Sequence, residues 1–253
     1  MKPTPQAQNI DEVIRILEDI ITQSKTESSP LGYFAALYLL VTSQVKKGIE
    51  ENFFDDGPRM EKLDVLFANR YLAAYYSHQQ SQSATLSWEK SFALSSKYWP
   101  IVLQHLLMGM NAHINLDLGI AAAQVMKDKN IDDLDGDFNK INEVLSSLVH
   151  KVQQDLAEIW PTLRFILKLT GKVDDALTDF SMKLARDGAW KFAKQLSELD
   201  ESKQEEFISL RDHKVADKSK IIAFPGWLVS TLFKVIRLGE RGSISQKIVK
   251  LRD

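Results

Sequence analysis

His113 and Asp117 stand four residues apart in the run GMNAHINLDL at 109–118. On a helix this spacing is about one turn, so an imidazole and a carboxylate meet at one point. Such a pair supports two chemistries. With donors from other helices it holds a divalent metal such as zinc, manganese or iron. Alternatively, the carboxylate orients the imidazole as a general base. A third use is structural: a buried polar network that fixes helix register. His105 precedes His113 by eight residues, about 12 Å along a straight helix, and joins the same site only if Gly109 bends the chain. Asn111 and Asn115 lie on roughly the opposite side, as substrate-orienting or supporting groups.

Two further sets carry chemistry-bearing residues. Asp64 shares a helix face with Phe67, Ala68, Tyr71 and Tyr75, and Asn69 and Arg70 interrupt the same apolar stretch. A carboxylate on such a face needs a buried partner: His105, His113, a neighbouring Arg or a helix end. Arg186 and Trp190, one turn apart, can clamp a carboxylate, or the Arg stem can simply pack on a core Trp.

The elements that must position these residues read as helices. Residues 10–21 repeat apolar side chains at three- and four-residue spacing behind Asn9, a good N-cap. Pro30 and the Asp55-Asp56-Gly57-Pro58 run open the next two helices. A short helix is expected over 85–95. Pro100 opens a strongly apolar central helix running to Met126, and Asp137 is expected to cap the helix that follows it. Pro161 stops or kinks that helix, and another spans 173–199. Residues 200–220 are strongly charged and read as mostly solvated. The segment IIAFPGWLVSTLFKVIRLG has membrane-interface composition, but it reads more simply as a core helix interrupted at Pro225-Gly226. His78, His150 and His213 read as solvated. The whole predicts an all-α fold of about nine or ten helices around a buried central helix: one domain over 9–253, after a flexible tail at 1–8.

Composition sets the outer limits. The chain has 253 residues, no Cys, and Lys+Arg 32 against Asp+Glu 34. Disulfide scaffolds, thiolate metal sites and Cys nucleophiles are excluded, and gross positive charge for nucleic acid is absent. No apolar run approaches the roughly 18–20 residues of a spanning helix, so no transmembrane segment is expected. The N-terminus lacks an apolar signal region, which makes the cytoplasm the expected location. DDLDGDFNKIN fails as a calcium loop, because aligning Gly136 leaves Ile131 and Asn142 where the first and last acidic ligands belong.

The GMNAHINLDL segment resembles the signature of an uncharacterised bacterial family, a domain of unknown function of similar length. The likeness extends to LYLLVTSQV at 37–45, RMEKLDVLFANRYL at 59–72, DFNKINEVL at 137–145 and ARDGAWKFA at 185–193. It implies the helical fold and centres attention on His105, Asn111, His113, Asn115 and Asp117, but it implies no reaction. More distantly, the order His105, Gly109, His113 is similar to the His–Gly-Asp–His helix of zinc-dependent phospholipase C and related nucleases. Here Met110 replaces the Asp, and the usual proline is absent.

Three functions follow as expectations. One is a metal-dependent hydrolase, with a phosphoester as candidate substrate, using His113 and Asp117 with His105 and Asp64 nearby. Another is a binding protein for a small or lipid-like molecule, lined by Tyr33, Tyr38, Tyr71, Trp88 and Trp190. The third is a helical interaction module. Oligomeric state is not set by the sequence.

Overall fold

The structure is a computed structural model, and it describes residues 4–160 and 182–252. Among these residues there are eleven α-helices and no strand. They are α1 (Ile10–Glu27), α2 (Leu31–Glu50), α3 (Gly57–Gln79), α4 (Leu86–Phe92), α5 (Val102–Ala112) and α6 (Leu118–Val125). After them come α7 (Asp135–Ile159), α8 (Met182–Ser197), α9 (Glu201–Ala223), α10 (Trp227–Gly239) and α11 (Ile244–Arg252). The all-α expectation holds.

The helix starts follow local chemistry. Asn9 accepts from the Glu12 N–H, and Asp11 and Glu12 sit at the positive end of α1. Asp56 caps α3 by accepting from the Arg59 N–H at 3.0 Å, with Pro58 in the first turn. Residues 200–220 form most of α9, which turns Asp212, Val215, Ala216 and Ser219 inward and keeps most other side chains outside.

The central segment is not one regular helix. Between α5 and α6 the chain widens into a π-turn over His113–Asp117, where the Leu118 N–H reaches back to the His113 carbonyl. Gly109 does not bend the chain, because it lies inside α5. It is there for close approach: a Cβ at 109 would stand 2.3 Å from Phe34 Cδ2 on α2. On the other side, a Cβ at Gly119 would stand 2.9 Å from the Ala189 carbonyl of α8. The central segment is therefore wedged among α2, α3, α4, α8 and α9, and all five residues of the π-turn are buried.

Three expectations change. Asp137 does not cap its own helix, which begins at Asp135. Its buried carboxylate instead accepts from the backbone N–H groups of Asp55 (2.6 Å) and Asp56 (3.1 Å) and from Arg59 Nη2 (2.8 Å), tying α7 to the start of α3. The segment before α1 is held at Ala7, which is buried and pairs with the Asn69 side chain through two hydrogen bonds of 2.8 and 2.9 Å. Finally, α10 is a core helix on one face only. Phe233 and Ile236 are buried, whereas Trp227, Leu228, Val235 and Leu238 are exposed. His78 and His213 are exposed, as expected. Pro161, the 173–181 part of the expected 173–199 helix and the His150 side chain lie outside what is described.

Candidate functional site

The π-turn brings His113 and Asp117 together as their spacing predicts. His113 Nδ1 lies 3.1 Å from Asp117 Oδ2, with both residues buried. Two distant residues complete the carboxylate. From α3, Arg70 Nε donates to Oδ1 at 2.8 Å. From α4, the Trp88 indole N–H donates to Oδ2 at 2.8 Å. Burial pushes the Asp117 carboxyl up, but Arg70, His113 and Trp88 together hold it below the usual carboxylate range. Burial dominates for His113 and keeps its pKa below the ordinary imidazole value, against the pull of Asp117. A neutral imidazole facing an ionised carboxylate places its proton on Nδ1 and donates it to Asp117. Nε2 is then an acceptor. It is buried and has no hydrogen-bond partner among the described residues.

Aromatic rings enclose this imidazole. Phe67 stacks on it at 3.5 Å between centroids with an interplanar angle of 8°. Tyr38 meets it edge-on at 4.6 Å, and Phe34 and Trp88 each stand at 5.8 Å. Within the same nest the Tyr71 hydroxyl and Asp64 Oδ2 are also buried without partners among the described residues. Thr42, one turn beyond Tyr38 on α2, is close enough for its hydroxyl to pair with that of Tyr38, the Tyr71 ring is 5.8 Å from that of Tyr38, and Asp64 lies near enough for its charge to act on the Tyr38 hydroxyl. Burial, helped by the nearby Glu61 charge, raises the Asp64 pKa to about 8. Asp64 is thus mostly a neutral acid at pH 7 and hydrogen-bonds to neither His105 nor His113.

The remaining predicted residues are placed elsewhere. His105 is edge-on to Tyr33 at 5.6 Å, and its pKa falls to about 3 through burial and the charges of Arg237 and Lys247. It therefore belongs to the α10–α11 side and does not join His113. Asn111 and Asn115 face α9: Asn111 Nδ2 donates to the Val215 carbonyl at 3.0 Å, and Asn115 Nδ2 donates to Asn111 Oδ1 at 3.2 Å. Arg211 Nε closes this side on the Asn115 carbonyl at 2.8 Å. Both asparagines are therefore helix ties. Asn69 serves Ala7, as above. Arg186 is buried, with its guanidinium over Phe138 (5.5 Å) and Nη2 donating to Asn139 Oδ1 at 3.1 Å. Trp190 packs on the same Phe138 at 4.7 Å. Arg186 and Trp190 thus share the Phe138 ring, and Arg186 Nη2 also contacts the Asp187 carboxylate at 3.4 Å.

The donor set does not fit a divalent metal at His113 and Asp117. Both carboxylate oxygens are engaged, and a guanidinium occupies the side a cation would need. Among the described residues no three His, Cys, Asp or Glu side chains are grouped to hold a metal ion. Sequence reasoning placed Tyr38, Phe67, Tyr71 and Trp88 on apolar surfaces, but missed Thr42 and the Trp88–Asp117 bond. Thr42 carries a weak signal, since it is a hydroxyl one turn from Tyr38 in an otherwise apolar helix.

A family model described only as a family of unknown function (DUF5995) matches residues 10–225. No curated protein and no solved structure matches the chain.

Proposed function

The chain belongs to the DUF5995 family of unknown function, so the family supplies no reaction, and we propose from the site alone that this protein binds a small neutral molecule in its interior. The observation that carries the reading is a set of polar atoms around Tyr38 that have no partner among the described residues: His113 Nε2, the Tyr71 hydroxyl and Asp64 Oδ2, beside the paired hydroxyls of Tyr38 and Thr42. Leaving one such group buried and unsatisfied costs about 1–3 kcal/mol, so three in one nest call for an occupant. Imidazole, phenols and Asp64 all favour their neutral forms, so a charged occupant would be poorly solvated. The surrounding rings favour a partly apolar or flat body. His113 Nε2 accepts a hydrogen bond from the ligand, while Asp117, Arg70 and Trp88 fix the imidazole that does so. This favours the binding expectation over the metal-dependent hydrolase.

The test is a thermal-shift screen of neutral, hydrogen-bond-donating compounds on wild type and Thr42→Val, with mass spectrometry of small molecules extracted from the purified protein. The expected result is a stoichiometric extract or a compound that raises Tm, with the gain reduced in Thr42→Val. An empty extract together with no shift across the screen refutes it.

A second reading rests on the Asp117-fixed tautomer: Nε2 is in the protonation state of a general base. Conversion of the extracted molecule by wild type and not by His113→Gln would select this metal-free chemistry.

A further inference from the structure

Helix α10 has two apolar faces, and among the described residues only one of them is covered. Phe233 and Ile236 are buried, and Val229 and Leu232 pack against the core. The outer face carries Trp227, 77% exposed, with Leu228, Val235 and Leu238, the last 70% exposed. The end of α9 and the Pro225-Gly226 link extend this surface with Ile221 and Phe224, the latter 68% exposed. Isolated exposed apolar residues are ordinary, but a contiguous patch of large ones marks an interaction surface.

The loop before α5 lies alongside. Arg237 Nε donates to the Tyr98 carbonyl at 2.8 Å, and its guanidinium sits 5.2 Å from the Tyr98 ring. Lys234 Nζ is 5.6 Å from the exposed Trp99 ring, and Lys97 Nζ is 5.2 Å from the Phe224 ring. Exposed tryptophan, tyrosine and phenylalanine are therefore interleaved with cations.

The charge of this surface is opposite to that of the chain. Residues 218–241 hold Lys218, Lys220, Lys234, Arg237 and Arg241 against the single carboxylate Glu240, whereas the whole chain has a net charge of -2. Glu240 does not offset the surface, because its side chain is buried against Lys247 at 2.7 Å and Arg237 at 2.9 Å. Asp217 pairs with Lys220 at 2.6 Å, which among the described residues leaves Lys97, Lys218, Lys234 and Arg241 to set the sign.

We propose that α10, the end of α9 and the Tyr98–Trp99 loop dock on the surface of a bilayer containing anionic lipids. Aromatic rings interleaved with Lys and Arg suit the boundary between headgroups and acyl chains, and the cations suit anionic headgroups. A helix of 13 residues rises only about 20 Å, too short to cross a hydrocarbon core of about 30 Å. It lies along the surface, with Trp227, Leu228 and Leu238 toward the acyl chains. This docking is independent of the interior ligand.

The test is flotation of the full chain with vesicles of phosphatidylcholine alone and of phosphatidylcholine with about 30% phosphatidylserine. The variants are Trp227→Ser/Leu238→Ser and Lys234→Glu, with thermal melting as the folding control. These side chains reach solvent, so the variants should melt with wild type. The expected result is binding to the phosphatidylserine vesicles, about tenfold or more weaker on phosphatidylcholine alone, in high salt and in each variant. Absence of vesicle binding overturns the proposal, as does equal binding to both compositions. So does a concentration-dependent dimer that Trp227→Ser/Leu238→Ser abolishes while wild type ignores vesicles, since a second copy would then cover the face.

Discussion

Replacing Asp64 by Asn should stabilise the protein at alkaline pH and have little effect in acid. The carboxyl is buried, one oxygen has no hydrogen-bond partner among the described residues, and its pKa rises from 3.8 to about 8 in the folded state. A carboxyl whose folded pKa exceeds its unfolded value binds a proton in the native state that the unfolded chain has released. Wild-type stability therefore falls as pH rises from about 4 towards 8, then levels off. Each pH unit across that window is worth up to about 1.4 kcal/mol, so the penalty between pH 5 and pH 8 is at most about 4 kcal/mol. Relaxation and water entry absorb part of it, and a gain of about 2–4 kcal/mol for Asp64→Asn at pH 8 relative to pH 5 is expected. Asn has nearly the same shape and no proton to lose. The assay is urea unfolding of both proteins by far-UV circular dichroism across this range, comparing midpoints at constant m. A difference that does not change with pH refutes the reasoning. So does an Asn variant less stable than wild type at pH 8, which would mean an ionised and well-partnered carboxylate.

Three other outcomes follow from the same geometry. Asp117→Asn should cost about 3–5 kcal/mol in urea unfolding, because it removes a buried charge from Arg70 and turns an amide donor toward N–H groups; a loss below about 1 kcal/mol would contradict the network. Gly109→Ala places a Cβ 2.3 Å from Phe34 and should destabilise by about 1–3 kcal/mol, where an unchanged Tm would show that α2 gives way freely. His105 stays neutral in the fold to about pH 3 while the unfolded imidazole protonates near pH 6.5. Its contribution is therefore complete above about 6.5 and declines as pH falls toward 3, so His105→Leu should flatten the acid side of the stability curve; a slope unchanged in that variant would refute the assignment.

Much of the helical frame was legible in the residues. Asn9, Asp56 and Pro58 mark helix starts whose chemistry is local, and three- and four-residue apolar spacing marks the buried stripe of α1. Asp137 shows the limit of such reading. It looks like a cap for its own helix, yet it satisfies the backbone of Asp55 and Asp56, some 80 residues earlier in the chain. A capping side chain accepts from whichever backbone N–H packing brings near, and sequence distance does not enter that choice.

The sequence by itself determined that His113 and Asp117 meet, because they are one turn apart on any helical path, and that Asn111 and Asn115 face away from them. Tertiary structure decided what the pair is for. Arg70 reaches Asp117 from 47 residues away and Trp88 from 29, so the carboxylate became the anchor of a neutral, tautomer-fixed imidazole rather than a metal ligand. It also decided that His105 turns to Tyr33 and that, among the described residues, the outer face of α10 stays uncovered. The physical reason is the range of the interactions: periodicity and capping act within a turn or two, whereas the partner of a buried charge and the cover of an apolar face depend on which helices pack together.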